Sequence, residues 1–344
     1  MFFQLGYILD GVYVLWHVFI FISRECAGTN RRKIVLELIS KRLEVSGMLL
    51  RSLRKVLNLD MHLRVMNKQD VSAGQRLKEL AGWNQTVGDW NRFLEASPKG
   101  CFVAEENGLV CGTATTICYE DRFAWIGMVL VDPEHRKRGI GTQLLKKTIE
   151  YLDEQKIPTM KLDATPQGRP LYEKLGFVVE YEIERWVLKR SPDSNARTLT
   201  SSRERLTESQ LEPIFEIDRD VFGADRSFLL HSLQIETPEF VLADLAGGKR
   251  QSYAFGRRGS FADHLGPWMA TNRDSAENLL DEFLARSSRE NIFVDRLTRN
   301  AIAGELLPAR GFVFSRSLSR MYRGPNAHAG NPASLCAIAG PEFG

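Results

Sequence analysis

The chain is 344 residues long, 43% hydrophobic and 26% charged, with 46 Lys and Arg against 43 Asp and Glu. That composition excludes collagen-like, disordered and multi-span membrane chains, and the length suits two domains of roughly 150 residues each. The excess of base lies in residues 1–60, which hold nine Lys and Arg against five Asp and Glu. The remainder is close to neutral and has no interleaved Arg/Lys–aromatic pattern, so no nucleic-acid partner is expected.

Residues 2–22 form an apolar run interrupted by Gln4, Asp10 and His17, with Arg24, Arg31, Arg32 and Lys33 behind it. Its length is near that of a membrane span and its flank is basic. Asp10 sits mid-run, where a charge costs about 2.5–3.5 kcal/mol, and no small-residue cleavage site follows. Leu36, Ile39, Leu43, Leu50, Leu53 and Leu57 then mark one face of an amphipathic helix. Residues 1–60 are therefore read as an N-terminal extension outside the folded unit, with membrane contact through it as the second reading. Five cysteines form no CxxC pair and no Cys/His ligand spacing, so reduced thiols, no metal and a cytoplasmic setting are expected.

A domain is expected over 61–190. Residues 62–66 read as a strand, Asp70 opens a helix reaching Ala81, and Thr86 opens another around Trp90, Phe93 and Leu94. Strands follow at 101–105 and 109–118 around an Asn107-Gly108 turn, and at 123–131. A helix runs from the glycines at 139 and 141 to about Glu154, with Leu144, Leu145, Ile149 and Leu152 inward. A strand at 159–163, a short helix at 168–175 and strands over 177–189 complete an α/β (α+β) domain with a mixed sheet.

The chemistry is concentrated at the turn between strand 123–131 and its helix. Gly139 and Gly141 let the backbone turn tightly and approach a ligand closely, and the helix start offers unpaired N–H groups to a phosphate. Arg136, Lys137 and Arg138 add positive charge. No Gly-Lys-Ser/Thr and no GxGxxG is present, so neither a nucleotide P-loop nor a dinucleotide fingerprint is indicated.

The stretch from Val129 to Leu145, with Arg136-x-x-Gly139-x-Gly141 at its centre, resembles the acetyl-CoA motif of the GNAT N-acetyltransferases, Q/R-x-x-G-x-G/A. Leu171-Tyr172-Glu173-Lys174-Leu175-Gly176-Phe177 resembles that family's second motif at the expected distance. The resemblance implies that backbone N–H groups of Lys137, Arg138, Gly139, Ile140, Gly141 and Thr142 cradle the coenzyme A pyrophosphate. It implies that the pantetheine arm pairs like an extra strand with Val129, Leu130 and Val131, where the strand at 159–163 splays away. Tyr172 matches the family's general acid. The general base is open among Glu134, His135, Asp163 and an ordered water, with a water relay as the default.

Residues 191–203 read as a linker, and 204–324 repeat the first domain's order loosely. Helices are expected at 208–222 and 228–236, and strands at 240–245 and 252–257 around Gly247-Gly248. A strand at 267–271, a helix at 273–287 and a strand at 292–295 follow. Leu306-Leu307-Pro308-Ala309-Arg310-Gly311-Phe312 aligns with the second motif, and a strand at 312–321 closes the sheet. Asn272-Arg273-Asp274-Ser275 stands where the glycine loop would be, and Leu307 replaces the tyrosine. The pattern resembles tandem GNAT proteins with a degenerate second domain, followed here by a tail at 325–344. Asp218, Arg219, Asp225 and Arg226 are either solvated helix-end charges or the lining of an acceptor pocket, and solvated charges are favoured. The expected activity is acetyl transfer from acetyl-CoA to a primary amine, a small molecule by preference. An acyl-CoA-sensing module is the alternative.

Overall fold

The computed structural model describes residues 61–190, 206–244 and 252–344. The extension at 1–60, the linker at 191–203 and the Gly247-Gly248 turn lie outside the described residues. In the first half the elements are β1 (His62–Val65), α1 (Val71–Leu80), α2 (Val87–Ala96), β2 (Phe102–Glu106), β3 (Leu109–Tyr119), β4 (Phe123–Val131), α3 (Ile140–Glu154), β5 (Met160–Ala164), α4 (Arg169–Lys174) and β6 (Val178–Lys189). The second half supplies α5 (Glu208–Phe222), α6 (Ser227–Glu236), β7 (Leu242–Asp244), β8 (Ser252–Arg258), β9 (Asp263–Met269), α7 (Arg273–Arg286), β10 (Asn291–Leu297), α8 (Ala301–Ala309), β11 (Val313–Arg323) and β12 (Leu335–Ala337).

Local chemistry explains the helix starts. Thr86 and Asp89 form a reciprocal capping box at α2, which satisfies two backbone donors that the helix leaves unpaired. The same helix buries Trp90 and Phe93 completely. Its apolar face is thereby held against the sheet, at about 1.5–3 kcal/mol per fully buried large side chain.

All twelve strands join one mixed sheet in the order β1-β2-β3-β4-β5-β11-β6-β10-β12-β9-β8-β7. The two halves exchange their last long strands. β11, from the second half, pairs antiparallel with β5, and β6, from the first half, pairs antiparallel with β10. β11 and β6 pair with each other at the centre. Residues of the second half are thus carried into the sheet of the first.

Three expectations change. The strand expected at 267–271 lies at Asp263–Met269. Its start, Asp263-His264, reads as polar, but Asp263 accepts from Ser287 Oγ at 2.8 Å and His264 stands 3.3 Å from Asp295. Residues 325–344 are not a loose tail along their whole length: they supply β12, and Phe343 is fully buried. Asp218 and Arg226 are not solvated. They form a buried bidentate pair with both bonds at 2.8 Å, joined by the Tyr253 hydroxyl. Arg219 pairs with Glu120, and Asp225 accepts from Ser227 N at the start of α6.

Candidate active site

The site follows from an interrupted ladder. β4 and β5 run parallel but pair only at Ala124–Met160 and Trp125–Lys161. Beyond Trp125 the two strands separate. On its other edge, β4 carries an extra residue between Gly127 (opposite Thr115) and Leu130 (opposite Thr113), and Met128 adopts φ +49°. Such a bulge bends the strand and re-aims its peptide groups. The resulting cleft has a volume of about 690 Å³, and Val129, Leu130, Val131, Arg136, Gly141 and Tyr172 are among its lining residues.

At one end lies the turn into α3. Gly139 is its N-cap at φ +81°, with nothing within 4 Å of an added Cβ, so conformation and not space calls for glycine there. Lys137 also holds a positive φ of 61°. A Cβ on Gly141 would meet Val131 at 3.5 Å and Leu171 at 3.9 Å, both ordinary contacts. The protein itself therefore has room for a Cβ at 141. Gln143 N is bonded to Gly139 O, so the N–H groups of the first turn have no carbonyl within the helix and carry the positive end of its dipole.

The basic residues here divide their tasks. Arg136 lines the cleft, with its Nε donating to Val131 O at 3.1 Å. Arg138 is forked onto Glu106 outside it. Ile140 is buried in the core beside Leu144, leaving only its backbone to serve a ligand. Lys137, Gly139 and Thr142 complete the turn.

Tyr172 stands on α4 along the same cleft, ring-to-edge with Phe177 at 6.1 Å. Burial pushes its phenol up to about 12. A hydroxyl so placed keeps its proton near neutrality and across the alkaline range below that value.

Of the base candidates, Glu134 and His135 do not line the cleft. His135 lies 3.3 Å from Glu106 and 3.8 Å from Asp132. Asp163 does line it, but it accepts two bonds from Arg320, each 2.9 Å. None of Asp218, Arg219, Asp225 and Arg226 reaches it.

The other end of the cleft holds residues absent from the expected site. Leu80, Ala81 and Trp83 come from α1 and the turn after it, Arg185 from β6, Arg316 from β11, and Glu342 from the C-terminal segment. Arg185 is spent on Asp295, with bonds of 2.7 and 2.6 Å. No local motif marks Arg316 and Glu342, because strand exchange and the path of the last ten residues bring them in.

The second half presents the corresponding gap in a different state. β9 and β10 pair in parallel over three residues, and β12 then inserts, antiparallel to both. The gap that stays open between β4 and β5 is filled by the chain itself between β9 and β10. Asn272 caps α7 by accepting from Ser275 N at 2.9 Å, and Leu307 is fully buried. Among the described residues, no group of three His, Cys, Asp or Glu side chains is placed to hold a metal ion.

Comparison with known proteins agrees with this geometry. Residues 97–179 and residues 214–335 each match a family model described as an acetyltransferase (GNAT) domain. The chain is 24% identical over 272 residues to holothin acyltransferase of Pseudoalteromonas sp., covering 76% of this chain and 87% of that protein. It is 27% identical over 164 residues to the uncharacterized N-acetyltransferase YitH of Bacillus subtilis, covering 48% and 57% of the two chains. A crystal structure of a candidate acetyltransferase from Pyrococcus horikoshii superposes with a TM-score of 0.66 at 22% identity, over 83% of this chain and 96% of that one, which speaks to the fold. The chain belongs to the GNAT superfamily: it is an acetyltransferase with two GNAT domains in tandem.

Proposed function

We propose that the first-half cleft holds acetyl-CoA and transfers its acetyl group to the primary amine of a small molecule. The observation that carries this reading is the parting of β4 and β5 beyond Trp125, in a cleft that has the open start of α3 at one end and Tyr172 along its side. A pyrophosphate suits the unpaired N–H groups from Lys137 through Thr142, with Arg136 beside it. An extended pantetheine arm suits the exposed peptide groups of Val129, Leu130 and Val131.

The chemistry is direct attack. The amine nitrogen bonds to the thioester carbonyl carbon, the carbon–sulfur bond breaks, and the sulfur leaves with the electron pair. The nitrogen gives up a proton to solvent, and Tyr172 donates its proton to that sulfur and regains one from solvent. Held as in a strand, the thioester is fixed for attack before the amine arrives.

Enclosure favours a small acceptor. α1 and the turn after it cover one side of the cleft, and second-half residues cover another. The second half itself is read as holding no donor, because β12 occupies its gap. A cytoplasmic setting fits the buried thiols of Cys101 and Cys336, each pushed up to about 12 by burial. Among the described residues no helix is long and apolar enough to cross a membrane.

Steady-state kinetics of Tyr172→Phe, run beside acetyl-CoA binding, test the assignment. The expected result is kcat down by about 10²–10⁴-fold with donor affinity retained. Unchanged turnover would remove Tyr172 from the reaction.

A further inference from the structure

We propose that the far end of the cleft selects an acceptor whose amine stands beside an anionic group, in the manner of an α-amino acid. In this assignment Arg316 holds the anion and Glu342 takes the amine's proton. The inference rests on the acetyl-transfer reading above and supplies its missing substrate class and base.

Glu342 is 3% exposed and lines the cleft. Its Oε1 accepts from Arg257, while its Oε2 has no hydrogen-bond partner among the described residues. The segment carrying it is firmly seated. Trp125 Nε1 donates to Pro341 O at 3.0 Å, and Tyr119 Oη donates to Phe343 O at 2.8 Å. A Cβ on Gly127 would lie 2.7 Å from Glu342 O. The glycine that begins the β4 bulge thus lets the Glu342 backbone close directly onto it, next to the residues proposed to hold the thioester.

Arg316 reaches the same cleft from a bulge in β11, between Phe314 and Arg316. Its Nε is buried without a hydrogen-bond partner. Burial and the neighbouring Arg185 lower the guanidinium from its ordinary value, and the charges of Asp295 and Glu342 only partly offset them. An anion arriving there would relieve that penalty.

One unpartnered oxygen of a carboxylate and one unpartnered guanidinium nitrogen therefore belong to two residues that line a single cleft. Buried polar groups left unpaired are costly and rare, and a ligand bearing both complementary charges would satisfy both together. Arg suits a planar carboxylate or a phosphate equally. Leu80, Trp83 and Leu318 leave room for an apolar body between them.

The proton balance closes. An ammonium loses one proton to Glu342 and becomes a nucleophile, and its nitrogen bonds to the acetyl carbon as the carbon–sulfur bond breaks. A second proton leaves that nitrogen to solvent, Tyr172 protonates the departing sulfur and is itself reprotonated, and Glu342 returns its proton to solvent. The sum is an amide, a thiol and one released proton.

The test uses the full-length chain with the twenty common L-amino acids, each beside its C-terminal amide, and with phosphoethanolamine beside ethanolamine. Acetyl-CoA affinity is measured on every variant, so that loss of the donor is seen separately. We expect an acidic member to be acetylated with kcat/KM at least tenfold above its neutral partner. The amino acid and phosphate arms distinguish a carboxylate from a phosphate. Arg316→Gln should abolish that preference through KM, and Glu342→Gln should lower kcat at least tenfold for every acceptor, with donor affinity kept in both. A merely structural role of Arg316 would lower all acceptors alike without changing their ratio, and a merely structural role of Glu342 would leave Glu342→Asp no more active than Glu342→Gln. The proposal is overturned if neutral partners are used as well as acidic ones, if Arg316→Gln leaves the ratio intact, or if no acidic member reacts with a chain that binds acetyl-CoA.

Discussion

Two glycines two residues apart do different work, and substitutions can separate them. Gly139 needs its left-handed backbone, so Gly139→Ala should cost about 1–2 kcal/mol of stability in chemical denaturation. Gly141 is helical with room for a methyl, so Gly141→Ala should be neutral or stabilise by up to about 1 kcal/mol. Equal losses from both would contradict the geometry of the turn. Tyr172 makes a prediction about pH. Partial burial pushes its phenol up to about 12, and a raised pKa keeps the proton-donating form across the working range. The rate should therefore show no alkaline decline assignable to Tyr172 below about pH 11. A decline near pH 10 that disappears in Tyr172→Phe would count against its burial.

The elements were largely legible because short-range signals set them. Asp70 and Thr86 announce helix starts, Asn107-Gly108 a hairpin, and the β-branched run at 109–118 a strand, and each lies where expected. The donor end of the candidate site was legible for the same reason, since Gly139, Gly141 and Tyr172 fall in two short motifs. The acceptor end was not. Arg316 and Glu342 enter through a strand exchange and through a segment that reads as a tail, and pairings across more than a hundred residues leave no local periodicity. The start of β9 was hidden for a related reason, because Asp263 and His264 are polar residues buried by partners distant in sequence. That burial carries its own prediction. Arg185 draws the Asp295 carboxyl well below its ordinary value despite full burial. Its stabilising effect is present above the unfolded carboxyl's value near 4 and is lost as pH falls through the lower folded value. Asp295→Asn leaves Arg185 uncompensated in the core and should cost about 3–5 kcal/mol at neutral pH, measured by urea unfolding. A loss under 1 kcal/mol would mean that the pair at the centre of the sheet contributes little.

The exchange joins the two domains in one sheet with unequal halves. Each has a parallel strand pair that begins to part. In the first half the parting stays open and meets an uncapped helix start, whereas in the second β12 fills it and Asn272 caps the helix. The same C-terminal segment fills the second gap with β12 and brings Glu342 to the first cleft, so in the proposed reading the absence of a second donor and the completion of the acceptor end have one structural origin. The most direct measurement is calorimetric titration of acetyl-CoA into the full-length chain and into Gly141→Glu. A carboxylate in the first turn of α3 suits the helix dipole and preserves the fold while repelling a pyrophosphate. The account predicts one equivalent bound in the micromolar range by the native chain, and none by a folded Gly141→Glu variant. Two equivalents, or one equivalent untouched by Gly141→Glu, would contradict it.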